Sequence, residues 1–121
     1  MSEIMRPAAL ASLVEYQDGS IVSKTVLKSD AGTVTLFAFA AGQGLSEHTA
    51  PFDAMVTVLD GMAEVMIGGQ VQTVAAGEMI IMPAGIPHAV KAHAGPFKML
   101  LVMLKQASRD ATSLTRGGTQ K

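Results

Sequence analysis

An all-β fold, an antiparallel barrel or sandwich, is what this chain of 121 residues predicts. Three observations carry it. Short apolar, β-branched runs recur with turn signals roughly every eight to twelve residues. Asp60-Gly61 and Gly68-Gly69 are two-residue hairpin signals, because their glycines accept the positive φ that such turns need. Helical periodicity is confined to one stretch near the N-terminus.

That stretch, Pro7 to Tyr16, is predicted as a short helix. Leu10, Leu13 and Val14 recur at helical spacing, and Pro7 suits a first helical position. Asp18-Gly19 closes it with a turn. Ile21 to Leu27 and Thr33 to Ala40 have strand composition, with the turn cluster Ser29-Asp30-Ala31-Gly32 between them. Ala41 to Ser46 reads as a loop leading to His48. Ala54 to Leu59, Met62 to Ile67 and Gln70 to Val74 follow as strands divided by the two hairpin signals. Met79 to Met82 is a short apolar strand ending in the turn Pro83-Ala84-Gly85, and His88 to Ala92 runs extended beyond it. After the break at Gly95-Pro96, Phe97 to Leu104 is apolar on both faces. Such a strand is expected to be buried twice, in the core and against something else. The sequence thus divides into an N-terminal helical segment (1–20), a barrel (21–106) and a polar, flexible C-terminal tail (107–121).

Composition narrows the function classes. With 49% apolar residues the chain has enough for a core, and 16% charged residues are few for a monomer's surface. A homodimer that covers part of that surface is expected. The net charge is -1, with no basic stripe for nucleic acid and no polybasic patch for anionic lipid. The absence of cysteine excludes disulfides, thiolate metal sites and thiol nucleophiles. No basic segment with a long apolar run opens the chain, so a cytoplasmic protein without membrane contact is expected.

Chemistry concentrates at two histidines. His88 lies just past the rigid Pro83-Ala84-Gly85 turn, so its direction is set by the backbone, as a ligand or catalytic group requires. His48 lies at another turn-to-strand junction. Glu47 and Asp53 read as rim charges. The methionines at 55, 62, 66, 79, 82, 99 and 103 read as adaptable core filler; a methionine metal site would favour soft copper(I).

These residues carry a resemblance. Gly77, Pro83, Gly85 and His88 stand at the spacing of the second motif of the cupins, with Ala92 where an asparagine would be. Gly42, His48 and Gly61 match the first motif, while Ala50 takes the place of its second histidine and Ala54 that of its glutamate. The chain resembles a small single-domain cupin of the conserved-barrel type. The resemblance implies a double-stranded β-helix, or jelly-roll barrel. In metal-binding cupins the two first-motif histidines, the glutamate and the second-motif histidine hold one divalent ion; here only His48 and His88 remain. Two neutral imidazoles alone hold a divalent ion weakly. Asp53 becomes a candidate third ligand if Pro51 interrupts the strand's alternation, and zinc, iron, nickel or manganese would then be weakly held.

Three functional expectations follow. The first is a barrel binding a small organic ligand in an interior pocket lined by His48 and His88, with Val56, Val58 and Met82 as apolar walls. The second is a metal-dependent enzyme of dioxygenase or isomerase type, using His48, His88 and Asp53. The third is a structural or regulatory dimer module. Catalytic residues and the ligand's identity are not legible.

Overall fold

A computed structural model describes residues 5–106. Nine strands form the described chain: β1 (Ile21–Ser29), β2 (Gly32–Phe39), β3 (Gly44–His48), β4 (Phe52–Asp60), β5 (Met62–Ile67), β6 (Gln70–Ala75), β7 (Met79–Met82), β8 (His88–Lys91) and β9 (Phe97–Lys105). They make two antiparallel sheets, one ordered β1-β2-β9-β4-β7 and the other β3-β8-β5-β6. The fold is the all-β jelly-roll barrel expected. The tail expected over 107–121 lies outside the described residues.

Side-chain alternation builds the core. On β4, Ala54, Val56 and Val58 face inward and are buried, and on β9 Phe97, Met99 and Leu101 do the same. Phe39 and Phe97 stack with ring centroids 4.5 Å apart and planes 9° apart. Both are fully buried, so they anchor the interior of a core that has few other aromatics. The β4–β5 hairpin needs glycine at position 61. Its φ is +75°, and a Cβ there would stand 2.3 Å from the Pro96 carbonyl oxygen.

The first motif's loop is shorter than expected. Gly44 to His48 is a strand, not a loop followed by a lone histidine. It contains no β-branched residue, so only its pairing with β8 makes it a strand.

The helix expected over Pro7–Tyr16 is a single 3-10 turn, Leu10–Ser12. Its N-cap is Ala9, which offers no side-chain acceptor, and neither end carries a charge that favours a helix. A helix this short is marginal without such support. Tertiary contacts hold the segment open instead. Lys98 Nζ donates to the Ala11 carbonyl at 2.6 Å and lies 5.0 Å above the Tyr16 ring. The Tyr16 hydroxyl donates to Asp60 Oδ2 at 2.5 Å, and burial together with that carboxylate holds the phenol well above its ordinary pKa. Leu13 and Val14 thereby pack on the outer face of the five-stranded sheet, against Leu36, Ala38 and Leu100. This explains the two-faced pattern of β9, whose outer residues are covered in part by the N-terminal segment.

Candidate functional site

His48 closes β3 and His88 opens β8, and antiparallel pairing sets them directly opposite one another. Directly opposed residues on one face come into side-chain contact. The ring centroids are 4.5 Å apart, with the planes at 69°. A register irregularity between Leu45 and His48 makes this possible. In a regular strand an offset of three would send the two side chains to opposite faces. With the extra residue absorbed, both Leu45 and His48 face the same cavity.

The turn before β8 is held from two sides. Gly85 has φ +79°, and the Ile86 N–H closes the turn onto the Pro83 carbonyl at 3.3 Å. The Gly85 N–H donates to the Ala50 carbonyl at 2.9 Å. The Ala84 N–H donates to Asp53 Oδ1, also at 2.9 Å. The approach to His88 is therefore fastened to Ala50 in the segment that joins β3 to β4 and to Asp53 at the start of β4.

Each imidazole is oriented by its own backbone. His48 Nδ1 lies 2.8 Å from the Ser46 carbonyl oxygen, and His88 Nδ1 lies 3.2 Å from that of Ile86. A carbonyl can only accept, so Nδ1 carries the proton in each ring. In the neutral ring Nε2 is then a bare lone pair. His88 is 5% exposed, and burial pushes its pKa below the ordinary histidine value. The neighbouring His48 adds to that shift, while the Ile86 carbonyl opposes it.

A cavity of about 50 Å³ lies against both rings, and Ala50, Ala54, Met82, Met99 and Met103 are among its walls. Ala50 and Ala54 are the positions where the cupin pattern has its second histidine and its glutamate. The cavity therefore meets methyl groups where those donors would be. Of the expected apolar walls, Met82 lines the cavity. Val56 and Val58 are fully buried in the core and are not part of its lining. Asp53 is occupied at the Ala84 turn, and among the described residues no group of three or more His, Cys, Asp or Glu is placed to hold a metal. The residues present do not fit the divalent-metal set of the family. His93 lies elsewhere, in a shallow depression shared with Glu64. Met99 and Met103 reach the cavity from β9, a strand apolar on both faces, so nothing in the sequence indicated which of its residues would meet the histidines.

Fold and site together define a small jelly-roll barrel with a histidine-bearing interior cavity. The Cupin domain family matches residues 35–103, and the chain belongs to that family. A conserved protein of unknown function from Streptococcus pyogenes is 38% identical, with 85% of this chain and 90% of that one covered at a TM-score of 0.80. A cupin superfamily protein from Desulfitobacterium hafniense is 33% identical over 84% and 92% of the two chains, with a TM-score of 0.79. A cupin 2 conserved barrel domain protein from Leptotrichia buccalis is 45% identical over 78% of this chain and 46% of its own, with a TM-score of 0.77. No curated protein matches the chain.

Proposed function

We propose that this cupin binds a compact organic molecule, one that donates a hydrogen bond to Nε2 of His48 and His88. The observation that carries this reading is the pair of carbonyl-fixed imidazoles over a cavity otherwise walled by apolar groups. Size limits the ligand. A water needs roughly 10–15 Å³ of such space, so a cavity of about 50 Å³ takes only a few non-hydrogen atoms. Drug-sized ligands occupy pockets of about 300–1,000 Å³, which disfavours nucleotides and sugars. Because both free nitrogens accept, alcohols and primary amides suit the site and carboxylates do not. The alternative, a metal-dependent dioxygenase or isomerase, draws less support because Ala50 and Ala54 supply no donors.

Titrating propionamide and propanol into 15N-histidine-labelled protein tests the reading. The Nε2 resonance of His88 is expected to move and saturate. Spectra that stay fixed to millimolar excess would remove the proposal. Affinity is also expected to fall as pH drops through the lowered pKa of His88, since protonation turns the acceptor into a donor. Stability follows the same direction. The unfolded histidine takes up its proton near 6.5, before the folded one does. The contribution of His88 is therefore complete above that pH and is lost as pH falls from there toward the folded pKa.

A homodimer completes the reading. On the outer face of the five-stranded sheet, the register aligns Leu27, Val34, Val102, Met55 and Ile81 in one uncharged row across all five strands. Leu27 is 62% exposed and Ile81 48%. A second copy related by a two-fold axis would lay this uncharged row on itself. Sedimentation velocity at micromolar concentration is expected to give a dimer, and Met55→Glu with Ile81→Glu a folded monomer. A wild-type monomer under those conditions overturns this part.

A further inference from the structure

Three backbone N–H groups lie between Met82 and His88, because Pro83 and Pro87 have none. Two of them donate to main-chain carbonyls: Gly85 N–H to that of Ala50 at 2.9 Å, and Ile86 N–H to that of Pro83 at 3.3 Å. Any residue supplies a carbonyl, so these two bonds ask nothing of the sequence. The third, from Ala84, goes to a side chain, Asp53 Oδ1, at 2.9 Å. Asp53 is exposed and is not part of the cavity lining, which takes Phe52 and Ala54 on either side of it. Its carboxylate therefore grips the turn from outside the barrel. We propose that Asp53 is a positioning residue for the cavity: by holding the Ala84 N–H it fixes the turn that presents the Ile86 carbonyl to His88, and so keeps Nε2 of that ring an acceptor.

The turn's own bond is its weak point. Gly85 at φ +79°, after an Ala84 whose φ is negative, fits a type II turn closed from Ile86 to Pro83. That closing bond of 3.3 Å is long, since N–H···O bonds usually end at about 3.2 Å. A bond to an ionised carboxylate is roughly twice as strong as one between neutral groups. Asp53 thus supplies the firmer hold. Its loss acts along one path. The Ile86 carbonyl, 3.2 Å away, is the acceptor that keeps the His88 proton on Nδ1. Once the turn loosens, that acceptor moves off, and the ring can carry its proton on Nε2, which shows the cavity a donor. His48 is held by the Ser46 carbonyl on β3, so its tautomer does not depend on the turn. The proposal rests on the organic-ligand reading for its effect on affinity, whereas the tautomer and the turn are properties of the ligand-free protein.

Histidine and backbone 15N spectra of Asp53→Ala and Asp53→Asn provide the test. Asparagine keeps an oxygen acceptor where alanine has none. In Asp53→Ala the Ala84 amide is expected to exchange with solvent about tenfold faster, the order of one hydrogen bond to a charged group. His88 should then show an Nε2–H signal at alkaline pH while His48 keeps its proton on Nδ1, and propionamide affinity should fall about tenfold. Asp53→Asn should restore the His88 tautomer and most of the affinity. An aspartate with a merely structural role would lower the melting temperature of the alanine variant and leave the His88 nitrogens unchanged; that result overturns the proposal. So does an asparagine variant whose His88 spectrum matches that of the alanine variant, since charge and not the bond would then be at work. Should the alanine variant misfold, the wild-type Ala84 amide decides: protection supports the grip of Asp53, and exchange as fast as in an unfolded chain overturns it. Propionamide without effect on the wild type defeats the organic-ligand reading alone, because the tautomer and exchange readouts need no ligand.

Discussion

Phe97→Ala is expected to lower the unfolding free energy by about 3–5 kcal/mol, the usual cost of removing a buried aromatic ring. Phe97 is fully buried where it opens β9, the strand that joins β2 to β4. Its ring stacks on Phe39, a contact worth about 0.5–1.5 kcal/mol beyond the area it covers. Few neighbours can fill the gap, because the surrounding core is made largely of valine and alanine. Against a typical total of about 5–15 kcal/mol, such a loss is a large share of the whole. In urea the midpoint should drop while the slope is kept. Leu104→Ala on the same strand is the control. That side chain is 54% exposed, and the change should cost well under 1 kcal/mol. Equal losses for the two variants would mean that the core is not centred on the phenylalanine stack.

Ala50→His combined with Ala54→Glu is expected to create a divalent-metal site beside the two existing imidazoles. Both alanines line the cavity that holds His48 and His88, so the new side chains enter beside existing imidazoles. Ala54 is 4% exposed, and an unpaired carboxylate there is strongly unfavourable. The metal-free double variant should therefore melt below the wild type. Adding zinc or manganese should recover stability, by about 2.7 kcal/mol once the ion reaches 100 times its dissociation constant. Wild-type protein should show no such recovery. If the variant melts low and metal changes nothing, the two alanines do not stand where the missing ligands would.

Strand positions were legible wherever the chain marks its own ends. β5 lies between Asp60-Gly61 and Gly68-Gly69, and β7 stops at Pro83; both span the residues that the sequence predicts. β3 carries no such marks. Gly44, Leu45, Ser46, Glu47 and His48 have weak strand preference, and the pairing partner that orders them lies about forty residues away in β8. The N-terminal helix was overread for the opposite reason. Leu10, Leu13 and Val14 fit helical spacing, yet Lys98 and Tyr16 fix the segment through contacts distant in sequence.

At the site, the motif spacing located both histidines, and it singled out Ala50 and Ala54 as the changed positions. It could not show the irregularity in β3 that turns His48 toward His88. Val56 and Val58, expected as pocket walls, do point inward, but sequence pattern carries no information on depth. Those valines are in the core, while Met99 and Met103 reach the cavity. Reading the methionines as filler followed their usual role. Only the third dimension sets three of them beside two imidazoles.

Everything proposed for the cavity depends on two bare ring nitrogens turned toward it. The histidine nitrogen spectrum of the ligand-free, metal-free protein at pH 8.5 measures this directly. The account predicts that His48 and His88 each carry their proton on Nδ1 and leave Nε2 unprotonated, the reverse of the tautomer that free histidine prefers. Protons found on Nε2 of both rings would contradict it, since the cavity would then present donors in place of lone pairs.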